Sequence, residues 1–222
     1  IPPIFLLANQ AYEAGDYKKA QEKYKRVQDR GISSGAIHYN LGNAYFRDNQ
    51  LGPAIFHFQR ASRLSPRDAD IEYNLAFARE KVLDRIEKKE TFGSALLSIT
   101  DALTVREAYF LLLFSCLVFF LLASLDVTLK RGWSRTARNI LFVVLVFSMM
   151  LVVSQELTRK KVGVVASPEV SVYSGLGRDH LVLFRLHEGT EFAMMDVVEK
   201  EWAEILLADG KKGWVPVENI LF

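Results

Sequence analysis

From Ala108 to Leu125 the chain runs for 18 residues without a charged side chain, and from Asn139 to Gln155 for another 17. A bilayer span needs roughly 20 residues at about 1.5 Å each, so both runs reach across once their polar flanks are included. A buried core helix is the alternative, but such a helix normally keeps one polar stripe. Phe110 to Phe114 and Leu117 to Leu122 leave none. The expectation is therefore two transmembrane helices, 107–129 and 139–158. Thr104 and Glu107 have the spacing of a capping box and place a helix start just before the first. The connector, 130–138, carries Lys130, Arg131, Arg135 and Arg138. These four are the topology determinants, because basic loops stay in the cytoplasm. Both ends of the chain then lie on the extracytoplasmic side. Neither run holds an Asp, Glu, Lys, Arg or His, so the spans read as an anchor and not as an ion path.

The first ninety residues repeat. A shift of 34 superposes Leu7 on Leu41, Ala8 on Gly42, Asn9 on Asn43, Tyr12 on Phe46, Ala20 on Ala54 and Tyr24 on Phe58. A third partial copy sets Tyr73, Asn74, Leu75 and Ala76 on Tyr39, Asn40, Leu41 and Gly42. Period and residue types resemble the tetratricopeptide repeat, a helix hairpin, with Leu41, Gly42, Tyr45, Ala54, Phe58, Ala61 and Pro66 carrying the match. The small residues mark close helix approach, while Leu7, Leu41, Tyr24 and Phe58 are expected to fill the space between layers. Gly15 and Asn49 are expected in left-handed turn positions. Two repeats and a capping helix from about Asp70 to Lys88 make up a domain of residues 1–90, followed by a juxtamembrane linker, 91–106. The resemblance turns the first helix of each hairpin toward a concave groove. Phe5, Asn9, Tyr12, Tyr39, Asn43, Phe46, Tyr73 and Phe77 are then the candidate peptide-binding residues, aromatic walls with amides able to bond a peptide backbone. Packing of the same aromatics within the solenoid is the competing reading.

From 163 to 222 the pattern becomes short alternating segments: Val170 to Tyr173, Leu181 to Leu186, Thr190 to Val197, Trp202 to Leu207 and Gly213 to Val217. Five short strands in under 60 residues point to a small β-barrel. Asp209 and Gly210 spell a two-residue hairpin turn. Val172 with Gly175, Leu186 with Gly189, Trp202, Asp209 with Gly210, and Gly213, Trp214 and Val215 resemble the bacterial SH3 domain.

The fold class expected is a multidomain membrane protein: all-α tetratricopeptide hairpins, two transmembrane helices and a C-terminal all-β SH3-like barrel. This order resembles the BatE family of the bacterial aerotolerance operon. That resemblance implies a non-catalytic inner-membrane scaffold, working beside von Willebrand A-domain proteins and a MoxR-type ATPase. A peptidoglycan-binding anchor that recruits a wall enzyme is the alternative. Formal charges of +3, +4 and −5 on residues 1–90, 91–162 and 163–222 leave no dense basic stripe for nucleic acid. The lone Cys116 sits in an apolar run with no base beside it, and His38, His57, His180 and His187 lack metal-ligand spacing. No enzyme activity, cofactor or metal is expected.

Overall fold

The computed structural model describes residues 3–86, 104–129, 135–158 and 162–222. They divide into two compact units: residues 1–89 together with 160–222, and residues 90–159 between them. The first unit is thus discontinuous in sequence.

Among the described residues five helices build its repeat half: α1 (Pro3–Glu13), α2 (Tyr17–Asp29), α3 (Gly35–Arg47), α4 (Leu51–Leu64) and α5 (Ala69–Glu80). Asp16 caps α2 through the Lys19 amide, Ser34 caps α3 through Ile37, and Asp68 caps α5 through Asp70 and Ile71. Gly15 and Asn49 take positive φ in the two hairpin turns. The core gathers Ala8, Ala20, Tyr24, Leu41, Ala54, Ile55 and Phe58. Leu7 is 48% exposed, contrary to the period-based expectation. Its counterpart Leu41 is fully buried in the repeat core, whereas no described helix precedes α1 to cover Leu7. The capping helix also ends earlier than expected. It stops at Glu80, and 81–86 continue as a strap that docks on the C-terminal half.

That half is a seven-stranded antiparallel sheet ordered β3-β2-β6-β5-β4-β1-β7. Its strands are β1 (Val162–Val165), β2 (Glu169–Tyr173), β3 (Val182–His187), β4 (Glu191–Val198), β5 (Trp202–Leu206), β6 (Lys212–Pro216) and β7 (Ile220–Leu221). The sequence reading missed β1 and β7, which are short and lack an alternating pattern. The hairpin at Asp209 and Gly210 also differs from expectation. The Gly210 amide donates to the Leu207 carbonyl and the Leu207 amide to the Lys211 carbonyl, with positive φ at Gly210 alone. This is a three-residue loop, a tight turn closed by a left-handed glycine. A core of Val165, Val172, Leu186, Phe192, Ile205 and Val215 lies beneath the sheet.

The two halves pack directly against each other. Val164 and Leu221 join the repeat core beside α4. A Cβ at Gly52 would overlap the Val165 carbonyl, so only glycine permits this approach. Gln50, at the start of α4, makes no side-chain cap. The Glu188 carboxylate instead accepts from the Gly52 amide at 2.9 Å, capping the helix from 136 residues away.

The second unit holds α6 (Val105–Leu129) and α7 (Arg135–Thr158). The capping box forms: the Thr104 amide donates to Glu107 Oε2 and the Glu107 amide to Thr104 Oγ1. Ser115 and Ser148 hydroxyls meet at 2.9 Å. They lie at matching distances from the residues that join the helices, as in an antiparallel hairpin. Phe110, Leu113, Leu117, Phe120, Ile140 and Val143 are exposed. Among the described residues one stretch, Arg106–Ser124, is long and apolar enough to cross a membrane, with a mean hydropathy of 2.1. The apolar stretch of α7, Asn139–Val153, is shorter. Helix α7 begins inside the segment expected to be a connector. Lys130 and Arg131, and the side chains of Arg135 and Arg138, lie outside the described residues.

Candidate peptide groove

Helices α1, α3 and α5 are related by the 34-residue period, so equivalent side chains line up along one face. A cavity of about 230 Å³ opens there, lined by Tyr12, Asn43, Phe46, Arg47, Phe58, Tyr73, Asn74 and Phe77. Five of the eight residues proposed from sequence therefore meet in one place: Tyr12, Asn43, Phe46, Tyr73 and Phe77. The other three have packing partners. Phe5 sits edge-on to Tyr24 at 5.7 Å. Asn9 Oδ1 accepts from the Tyr24 hydroxyl at 2.6 Å. Tyr39 leans on Phe58, and its hydroxyl accepts from Asn74 Nδ2.

Asparagines tie the successive helices together. Asn40 Nδ2 donates to Asn9 Oδ1 at 3.5 Å, and Asn74 Nδ2 to Asn43 Oδ1 at 2.9 Å. The two bonds are the same contact moved on by one period, since 9 and 40 become 43 and 74. Asn74 is the groove residue that sequence could have supplied, because the repeat alignment already sets it on Asn40. Arg47 carries no such mark; its Nε donates to the Tyr17 hydroxyl at 3.1 Å. Burial raises the Tyr12 phenol above its ordinary value, so it stays a neutral donor and acceptor at pH 7.

The apolar wall is open to solvent. Tyr73 is 69% and Phe77 39% exposed, their rings are parallel at 6.4 Å, and Phe46 tilts onto Phe77. Lys81 Nζ lies 5.0 Å from the Phe77 ring centroid. Aromatic surface of this kind beside amide donors and acceptors suits an extended peptide. The sheet packs on α4, the second helix of its hairpin, while the groove residues other than Phe58 come from α1, α3 and α5.

The histidines singled out in the sequence are structural in placement. His38 Nδ1 and His57 Nδ1 are 3.0 Å apart inside the hairpin, His57 stacks on Tyr45, and Ser33 and Gln28 bond His38. Burial pushes His38 down to about 4 and His57 to about 3. His187 bonds Asp84, and His180 lies beside the exposed Asp179. Among the described residues no three His, Cys, Asp or Glu side chains converge as a metal site.

No curated protein matches the chain. The tetratricopeptide repeat family matches residues 35–68, which span α3, α4 and the turn into α5. With the period, the hairpin geometry and this match in agreement, the chain carries a tetratricopeptide repeat.

Proposed function

We propose that the protein is a non-catalytic, membrane-anchored scaffold that holds a protein partner in its repeat groove. The observation that carries this reading is the open aromatic wall of Phe46, Tyr73 and Phe77 beside the Asn43–Asn74 pair. A tetratricopeptide repeat is by itself a protein-interaction element. The anchor is the α6–α7 hairpin, whose exposed apolar side chains exceed what a water-facing surface ordinarily carries.

The discontinuous first unit supports two spans over one. Residues 1–89 and 160–222 pack as one body, and a chain that crossed a bilayer once between them would leave its halves on opposite sides. An even number of crossings keeps the two halves on one side, which favours α7 crossing with α6, its shorter apolar stretch extended by polar flanks. The hydroxyl pair Ser115–Ser148 holds the hairpin together inside the bilayer. By the positive-inside rule the basic residues Lys130, Arg131, Arg135 and Arg138 favour a cytoplasmic segment 130–138 and an extracytoplasmic first unit. The C-terminal sheet is SH3-like, and the partners are those the aerotolerance-operon resemblance implies: von Willebrand A-domain membrane proteins and a MoxR-type ATPase system.

Two outcomes test this reading. An alkaline phosphatase fusion after Phe222 is active and one after Trp133 inactive; the reverse pattern overturns the orientation. Tyr73→Ala with Phe77→Ala weakens partner binding by about 2 kcal/mol or more, read by co-purification from solubilised membranes. Both side chains are exposed, so the fold survives the change. Equal retention by wild type and variant would rule the groove out as the binding surface. A second reading, wall binding, draws on the half-exposed Tyr173, Trp202 and Trp214, which share one sheet face; binding of the full chain to purified sacculi would favour it.

A further inference from the structure

We propose that the C-terminal sheet sets the position of α5, and with it one wall of the groove, through a latch made by Asp84 and Arg79. These are positioning residues; neither lies in the aromatic wall. The functional half of this inference rests on the groove reading above.

Helix α5 has two jobs on two faces. Ile71, Leu75 and Ala78 are buried, while Tyr73, Asn74 and Phe77 line the groove. It is 12 residues long and is the last helix of the array among the described residues. Such a helix is marginal alone, and no further described repeat layer packs on its outer side. Its own last turn and the strap beyond Glu80 supply the missing support. Arg79, in the last turn, makes a two-pronged ion pair with Glu191 at 2.6 and 3.0 Å. Val82 packs beside Gly189, and Ile86 reaches the sheet core.

Asp84 is the centre of the latch. Its Oδ2 accepts from the His187 amide at 2.7 Å and from the Thr190 hydroxyl at 2.6 Å, while Oδ1 meets His187 Nδ1 at 2.8 Å. Burial alone would raise its pKa, but the bonds from Thr190 and His187 outweigh burial and hold the carboxyl below its ordinary value. Three donors converge on one carboxylate, so the strap has a fixed register on the end of β3 and the turn before β4. A shift of the sheet therefore pulls on the C-terminal end of α5, within one turn of Phe77. In the middle of the helix, one turn before Phe77, Asn74 is the group that would register the movement, through its bonds to Tyr39 and Asn43.

The test is amide hydrogen exchange on the full chain, comparing wild type with Asp84→Asn, Glu191→Gln and a control, Glu218→Gln, whose partner Arg178 belongs to the sheet alone. Asp84→Asn turns an amide toward a donor. Glu191→Gln removes one charge of a partly exposed pair and keeps the side chain's size. The expected result is exchange about tenfold faster over 71–80 in Asp84→Asn, a smaller increase there in Glu191→Gln, and unchanged rates in α3, α4 and throughout the control. Wild-type protection of α5 in both latch variants would overturn the proposal. So would acceleration spread evenly over α1 to α5, which marks general loss of stability. The experiment uses no ligand, so its failure leaves the groove reading standing, and failure of partner binding leaves the latch standing.

Discussion

Phe58→Ala is expected to destabilise the first unit by about 3 to 5 kcal/mol, the usual cost of emptying a large aromatic site in a packed core. Phe58 is 1% exposed, sits between the two helices of the second hairpin and forms the floor of the groove. Its ring lies so near α3 that a Cβ at Gly42 would come within 2.7 Å of it. Gly42→Ala should accordingly cost about 1 to 3 kcal/mol through overpacking, and much of that cost should vanish in a Phe58→Leu background, where the ring is gone. Denaturant titrations of the four proteins give the coupling. Strict additivity of Gly42→Ala and Phe58→Leu would mean that the two helices do not meet at this contact.

Acid should act on the same hairpin. His38 and His57 are neutral in the fold, at about 4 and about 3, whereas in the unfolded chain each takes up a proton below about 6.5. Burial is the main cause; the positive charge of Arg60 adds to it at both rings, and Lys25 and His38 add to it at His57. Between about pH 6.5 and pH 4 the unfolded state binds more protons than the native state. The stability held above pH 6.5 is therefore lost as the pH falls. At about 1.4 kcal/mol per pH unit for each ring, the loss by pH 4.5 is on the order of 5 kcal/mol. Asp84, held low, contributes its own loss only below the ordinary carboxylate range. Urea midpoints at pH 7 and pH 4.5 measure the effect. His57→Phe, which keeps a ring on Tyr45, should remove about half of it. Equal midpoints at the two pH values in wild type would contradict the burial of the pair.

The repeat helices are legible because packing a helix hairpin imposes a period, and a period survives in one sequence. Leu41, Ala54 and Phe58 occupy the places that period gives them, and Gly15 and Asn49 the turns. Leu7 does not, since periodicity marks what a position would bury and not whether a neighbour is there to bury it. The groove is half legible: Tyr73 and Phe77 follow from type and register, while Phe5, Asn9 and Tyr39 satisfy the same pattern and are occupied by Tyr24, Phe58 and Asn74. The seam between the halves leaves no trace. Glu188 and Gly52, Asp84 and His187, and Arg79 and Glu191 are single polar pairs more than a hundred residues apart, and no spacing rule links them. Strands β1 and β7 escape for a related reason. Their place in the sheet depends on pairing with each other and with β4, not on any alternation of their own.

Whether the groove holds a protein partner is decided most directly by placing a photo-crosslinking side chain at Tyr73 of the full chain in its native membrane, with a second version carrying it at Arg178 on the sheet and a third carrying it at Tyr73 together with Phe77→Ala. A groove that binds gives one discrete crosslinked protein from the Tyr73 position, lost or strongly reduced when Phe77 is replaced, and absent from Arg178. A product from Arg178 but none from Tyr73, or a Tyr73 product indifferent to Phe77, would show that the partner sits elsewhere.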